Sequence, residues 1–198
     1  MRIAHATRLV VLRHGETDHN AQGRFQGHAD IPINERGRRQ AAAAQHRLSA
    51  RSFDAVYSSP LGRAVETARI VRPGAEVVLD ARLMEINGGS WAGLTWAEVQ
   101  SQMPDYEQKY ADGVDFRRSP EGETLGEVVE RGRPALLEIA ERHDGGTVLI
   151  VSHGLFLNRV LHSLLGIEGR VLGSIANAHH SELGYAHGGW RLLAHNVG

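Results

Sequence analysis

The amino-acid sequence predicts an α/β fold built on a mostly parallel sheet, and three observations carry that prediction. Leu9, Val10, Val11 and Leu12 form a short apolar, partly β-branched run, the pattern of a strand buried on both faces, and it leads straight into Arg13, His14 and Gly15. Thr147 to Gly154 repeats the device, an apolar strand running into His153-Gly154. Segments of helical pattern alternate with the strands. In open α/β sheets the C-terminal strand ends face the ligand crevice, and adjacent parallel strands would bring His14 and His153 together there.

The elements follow in chain order. Gly15 permits a tight turn in which backbone approaches an anion closely, and Glu16 to Gln22 begins a short helix whose free N–H groups point at the crevice, with Asn20 facing the bound anion. Gly23 to Pro32 reads as a loop holding Arg24, Phe25, Gln26 and Gly27. Asn34 is an N-cap for an alanine-rich helix through Leu48, with Arg36, Arg38, Arg39 and Arg47 on its solvent face. Phe53 to Tyr57 is the second strand, and Ser58-Ser59-Pro60 turns into a helix through Val71. Ser59 is read as its N-cap and Pro60 as its first residue, which puts Arg63 in the first turn, within reach of a crevice anion; Arg69 and Arg72 default to the surface.

Val77 to Leu79 is a third strand, and Asp80 to Leu83 leads into Glu85. Thr95 to Tyr110 reads as one or two short helices broken at Pro104, followed by irregular chain to Pro120. Trp96, Tyr106, Tyr110, Phe116, Arg117 and Arg118 concentrate aromatics and cations there, either covering the crevice or packed on the main body. Glu123 to Arg142 is a long helix with Pro134 as a kink point, Asp144-Gly145-Gly146 turns into the His153 strand, and Leu155 to Leu165 is helical. Val171 to Ala176, Ser181 to Ala186 and Trp190 to His195 are read as closing strands, the last two joined through His187-Gly188-Gly189 as a hairpin. Adjacent His179 and His180 on a strand would point to opposite faces, so they are read as structural and no metal site is expected. Nothing marks a linker; residues 1–198 are read as one domain, with 94–120 as an insertion over the site.

Arg13-His14-Gly15-Glu16-Thr17, with Asn20 after it, resembles the signature of the histidine phosphatase superfamily, also called the phosphoglycerate mutase-like family. Four further stretches fall in the family's order: Ser58 to Ala64, Glu85 to Gly93, Gly122-Glu123-Thr124 and Ser152-His153-Gly154. The resemblance spans almost the whole chain and implies a three-layer α/β/α sandwich. It also implies metal-independent phosphoryl transfer through a phosphohistidine on His14, with no cofactor. Arg13, Arg63, His153 and Asn20 would hold the phosphoryl oxygens, and Glu85 would protonate the leaving oxygen and later activate water, with a raised pKa expected beside the bound dianion. By the same resemblance Arg24, Gln26 and Gly27 line the site mouth. Met84 departs from relatives that carry arginine at that position, which bears on substrate choice.

Hydrolysis of a sugar phosphate or phosphoglycerate-type ester is the first expectation. A cofactor-dependent phosphoglycerate mutase is the alternative, disfavoured because mutases resembling the glycolytic enzyme carry an added C-terminal segment and insertion. A phospho-ligand binding module without turnover is a third, disfavoured by the presence of both His14 and Glu85.

Composition sets outer limits. The chain has 198 residues and no cysteine, which excludes a thiol nucleophile, thiolate metal ligation and a disulfide framework. A net charge of -1 argues against a nucleic-acid footprint and for a small-molecule or phosphoprotein partner. Residues 1–12 hold too short an apolar run for a signal-peptide core and no stretch reaches membrane-spanning length, so a cytoplasmic location is expected. A homodimer stays open.

Overall fold

The structure is a computed structural model that describes residues 6–169 and 171–198, without the side chain of Tyr110. The readings of residues 1–5 and of the Tyr110 side chain fall outside the described residues.

Six strands form one sheet in the order β3-β2-β4-β1-β5-β6. β1 (Thr7–Arg13) and β4 (Thr147–Ser152) pair in parallel at the centre, with Arg13 opposite Ser152. β2 (Ala55–Ser58) and β3 (Val77–Leu79) continue the parallel part, whereas β5 (His180–Ala186) and β6 (Gly189–Val197) close it as an antiparallel hairpin. The period-2 alternation of strands sorts the central side chains into two layers. Leu9, Val11, Val148 and Ile150 pack under α6 (Leu125–Arg142) and α7 (Gly154–Leu165). Val10, Leu12, Leu149 and Val151 pack under α2 (Glu35–Leu48) and α3 (Gly62–Val71). This is the expected three-layer sandwich. Among the described residues no helix is long and apolar enough to cross a membrane.

Local chemistry starts the helices. In α1 (Asp18–Ala21), Thr17 and Asn20 form a reciprocal capping box, and Thr124 and Glu127 do the same for α6. Asn34 caps α2 by accepting from the Gly37 N–H at 2.8 Å. Two glycines let α2 sit directly on the turn after β1. A Cβ on Gly37 would lie 2.2 Å from the Glu16 carbonyl oxygen, and one on Gly15 would lie 2.5 Å from the Gly37 carbonyl oxygen. Both obstacles are backbone, so neither yields by a rotamer change. Gly37→Ala is expected to lower stability by about 1–3 kcal/mol, as overpacking does; an unchanged urea midpoint would refute this close packing.

The structure corrects several sequence readings. Ser59 and Pro60 do not start α3, which begins at Gly62 after Leu61 with no side-chain cap; the Ser59 hydroxyl accepts from the Leu61 N–H at 3.3 Å and from His153 Nε2 at 2.8 Å. Val171 to Ala176 is not a strand, because β1 already has β4 on one side and β5 on the other. Arg47 is not merely solvent-facing: its Nη2 donates to the Ala178 carbonyl at 2.7 Å. His179 precedes β5, and only His180 stands in it, beside Glu182.

Candidate active site

β1 and β4 end side by side, and the His14 N–H donates to the Ser152 carbonyl at 3.0 Å. The next residue on each strand is a histidine, and the two rings stand 5.2 Å apart between centroids. His14 Nδ1 lies 2.6 Å from the Gly15 carbonyl oxygen. A carbonyl only accepts, so Nδ1 carries the proton and the lone pair is left on Nε2. Burial, reinforced by the Arg63 and Arg13 guanidinium groups, pushes the His14 pKa well below the usual imidazole value, with the Gly15 carbonyl opposing. The ring is therefore neutral. The turn is tied down by Thr67, whose hydroxyl accepts from the Gly15 N–H at 3.0 Å and donates to the Arg63 carbonyl at 2.7 Å.

His153 is fully buried behind Arg63. Its Nδ1 accepts from Arg63 Nε at 3.3 Å, which leaves the proton on Nε2 to be donated to Ser59 Oγ at 2.8 Å. Burial first, then Arg63, His14 and Arg13, depresses its pKa as well. Arg63 is 0% exposed, and its other donors hold the Gly27 and Ala29 carbonyls, each at 2.7 Å. Arg13 lies across the first turn of α7: a Cβ on Gly154 would fall 3.1 Å from the Arg13 Cζ, so the guanidinium packs tightly against the glycine. Arg13 Nη1 donates to the Ile175 carbonyl at 2.9 Å, and its buried Nε has no partner among the described residues. Burial lowers the pKa of both arginines, and Glu85 opposes this in each; as guanidinium groups they stay charged.

Glu85 arrives from the other side of the sheet's C-terminal edge. Its Oε1 accepts from the N–H of Phe156 at 2.8 Å and of Ile86 at 3.0 Å, and its Oε2 from that of Leu155 at 3.2 Å. The carboxylate thus caps α7, whose own N-cap residue His153 supplies no side-chain bond. The Glu85 backbone is fixed independently. Arg131 donates to the carbonyls of Arg82, Met84 and Glu85 at 2.8–2.9 Å, and His28 Nε2 meets the Glu85 carbonyl at 2.8 Å. Arg131 in turn forms a two-point pair with Glu123, and Glu123 accepts the Asn87 N–H at 2.7 Å.

Arg13, His14, Arg63 and Glu85 open on one crevice of about 320 Å³, together with Asn20, Arg24, Gln26 and Gly27. All eight side chains and backbones were named from the sequence; His153 alone among the proposed catalytic residues lies behind the wall. Two N–H donors converge on Asn20 Oδ1, from Thr17 N and Asn177 Nδ2, each at 3.2 Å, which leaves the Asn20 amide N–H groups to donate. Gln26 accepts from Thr17 Oγ1 at 2.9 Å, and Arg24 is held by the Gly93 carbonyl at 2.7 Å. The 94–120 stretch packs on the main body and contributes two residues to the crevice lining. In α4 (Trp96–Gln102) and α5 (Tyr106–Ala111), Val99 and Tyr106 pack with Trp91, Phe25 and Phe116, while Tyr106 and Arg118 also line the crevice. Asn158, Arg159 and Ser174 line it too and were not foreseen. The available signal was their spacing: Leu155, Asn158 and Arg159 share one face of α7, one turn beyond His153.

The chain is 33% identical over 163 residues to phosphoserine phosphatase 1 of Hydrogenobacter thermophilus, covering 81% of this chain and 77% of that one. It is 37% identical over 164 residues to a probable phosphoglycerate mutase of Yersinia enterocolitica, covering 80% and 75%. Among solved structures it superposes on mycobacterial glucosyl-3-phosphoglycerate phosphatase complexed with VO3 at a TM-score of 0.85 and 34% identity, covering 96% and 99% of the two chains. The model of the histidine phosphatase superfamily (branch 1) matches residues 9–198, and the chain belongs to that family.

Proposed function

We propose that this protein is a metal-independent phosphomonoester hydrolase that works on a small phosphorylated metabolite through a phosphohistidine on His14. The observation that carries the reading is the buried His14 ring, its Nδ1 held 2.6 Å from the Gly15 carbonyl and sharing one crevice with Arg13 and Arg63. Nε2 attacks phosphorus and the ester P–O bond breaks. Arg13, Arg63 and the Asn20 amide take the equatorial oxygens, where transition-state charge is spread. His153 acts through Arg63, which it holds in place. Glu85 is the only carboxyl group on the crevice wall among the described residues, and it protonates the leaving alkoxide. Water then attacks the phosphohistidine and gives its proton to Glu85, releasing phosphate and restoring neutral His14.

A crevice of about 320 Å³ suits a metabolite and not a protein segment. The stretch 94–120 covers its outer end through Tyr106 and Arg118, with Arg24 and Gln26 on the near side. A net charge of -1 supports a small ester over nucleic acid, and such ionised esters are retained in the cytoplasm, where we place the enzyme. The likeness to a probable phosphoglycerate mutase supports a second reading, in which the phosphoryl group returns to substrate instead of passing to water.

The test is phosphate release in excess EDTA from para-nitrophenyl phosphate, phosphoserine, 3-phosphoglycerate and glucosyl-3-phosphoglycerate, with Glu85→Gln alongside. Steady EDTA-resistant release is expected, with Glu85→Gln about 10²–10³-fold slower on alkyl esters and less affected on the good leaving group para-nitrophenol. Interconversion of 3- and 2-phosphoglycerate without release would establish the mutase. Equal rates for wild type and Glu85→Gln on every ester would remove the acid role.

A further inference from the structure

The cations on the crevice wall are not equally occupied. Arg13 and Arg63 belong to the phosphoryl site. Arg24 is bound by the Gly93 carbonyl and lies 3.7 Å from Glu98, and Arg118 lies over the Phe116 ring with Asp115 at 3.9 Å. Arg159 differs: it lines the crevice, is only half-buried, and its guanidinium is engaged by no hydrogen bond or ion pair among the described residues. It stands four residues beyond Leu155, whose N–H holds the Glu85 carboxylate. Four residues of helix advance about 6 Å, so Arg159 reaches into the crevice one turn away from the reacting group.

Its surroundings are built and not accidental. Asn158, the preceding residue, donates through Nδ2 to the carbonyls of Leu172 at 3.1 Å and Gly173 at 3.2 Å. His162, one turn on, accepts the Leu172 N–H at 3.3 Å while its Nδ1 faces the Asn158 carbonyl at 2.7 Å. These bonds fix the 172–174 segment against α7 and set Ser174 on the same crevice wall as Arg159. A guanidinium with open donors, on the same crevice wall as a serine and about one helical turn from a phosphoryl site, is matched by a planar monoanion on a short carbon chain.

We propose that Arg159 is a specificity-determining residue that binds a carboxylate of the substrate, so that the enzyme selects phosphate esters bearing a carboxylate a few bonds from the ester oxygen. The assignment rests on the phosphatase reading for the position of the phosphoryl group. One guanidinium supplies one charge, which suits a carboxylate better than a second phosphate dianion. During turnover the same contact orients the ester oxygen toward Glu85 at the far end of the α7 turn.

Matched esters that differ only in the carboxylate test it: 3-phosphoglycerate against glycerol 3-phosphate, and phosphoserine against phosphoethanolamine. Wild type is expected to prefer the carboxylate member in kcat/KM, and Arg159→Gln to shrink that preference by roughly 10–100-fold, the range of a hydrogen bond to a charged group. Arg159→Lys should restore part of it, since charge returns without the fork. Binding of the same pairs to His14→Ala and to the His14→Ala, Arg159→Gln double variant, followed by calorimetry, gives a readout that needs no turnover. No preference in wild type, a preference that survives Arg159→Gln, or a stronger preference for glycerol 1,3-bisphosphate would overturn the assignment. A carboxylate preference in binding that Arg159→Gln abolishes, with no phosphate released from any ester, would uphold Arg159 and sink the hydrolase reading instead.

Discussion

Replacing His14 with alanine is expected to lower kcat by roughly 10⁴–10⁶-fold, the scale on which enzymes lose rate when the covalent nucleophile is removed. No neighbour can substitute. The His153 ring is 5.2 Å away, but Arg63 and Ser59 occupy both its nitrogens, and the chain holds no cysteine. In wild type, rapid quenching at alkaline pH should trap an acid-labile phosphoryl group, absent in His14→Ala and in His14→Asn. The depressed pKa of His14 makes a second, sharper statement. A lowered imidazole pKa keeps the ring neutral both above and below the ordinary value near 6.5, so the free enzyme should show no acid limb in kcat/KM at about pH 6.5 from its nucleophile. A limb near that value in wild type, retained on a substrate whose own ionisation lies elsewhere, would show that burial and the two arginines fail to hold the ring neutral. The sign for stability runs the same way. The unfolded chain takes up a proton at each of these histidines below about pH 6.5 and the native site does not, so both contribute to a loss of stability as pH falls from 7 toward 5.

The central strands and the residues at their ends were legible in sequence for a simple reason. A strand covered by helices on both faces is apolar at every position, so Leu9 to Leu12 and Val148 to Val151 announce themselves, and a polar His-Gly immediately after such a run marks its C-terminal end. Arg63 was found although the start of α3 was misplaced by two residues, because either start leaves it in the first turn. Ser59 keeps a local bond from the Leu61 N–H, but local capping chemistry cannot register the partner 94 residues away, His153, that shares its hydroxyl. Val171 to Ala176 looked strand-like by composition. Yet the Ile175 carbonyl is needed by Arg13 and the Leu172 and Gly173 carbonyls by Asn158, bonds that leave the segment as site wall and not as sheet.

The grip on Glu85 lay beyond sequence reasoning altogether. Its carboxylate caps a helix 70 residues downstream, and its carbonyl is held by an arginine 46 residues away. Gly122-Glu123-Thr124 stood in the sequence as a motif without a task. The structure gives Glu123 one: it carries Arg131, and through Arg131 the backbone on which Glu85 rides.

Arg131→Met is therefore expected to cost more than an ordinary ion pair. Both partners are mostly buried, with side-chain exposures of 19% for Arg131 and 20% for Glu123, and the pair hydrogen-bonds at 2.8 and 3.0 Å. Removing the arginine leaves the Glu123 carboxylate, now held below the usual range in part by Arg131, without its countercharge, and unpairs three carbonyls in the loop that presents Glu85. Breaking a buried pair in this way costs about 3–5 kcal/mol at full burial, and the residual exposure here places the expected loss toward the lower end. Two distinct readouts separate structure from function. Because a lone buried carboxylate is the main penalty, the double variant Glu123→Gln, Arg131→Met should recover much of the lost stability in urea melts. It should not recover kcat on alkyl esters, since the Arg82, Met84 and Glu85 carbonyls remain unheld and the carboxyl group is free to drift from the leaving oxygen. With para-nitrophenyl phosphate, whose leaving group needs little protonation, the double variant should come closer to wild type. Arg131→Lys supplies the charge but cannot reach three carbonyls and a carboxylate at once, so it should regain stability more fully than kcat. Equal recovery of both, or a uniform rate loss on alkyl and aryl esters alike, would reduce the Arg131–Glu123 pair to a scaffold contact with no part in positioning Glu85.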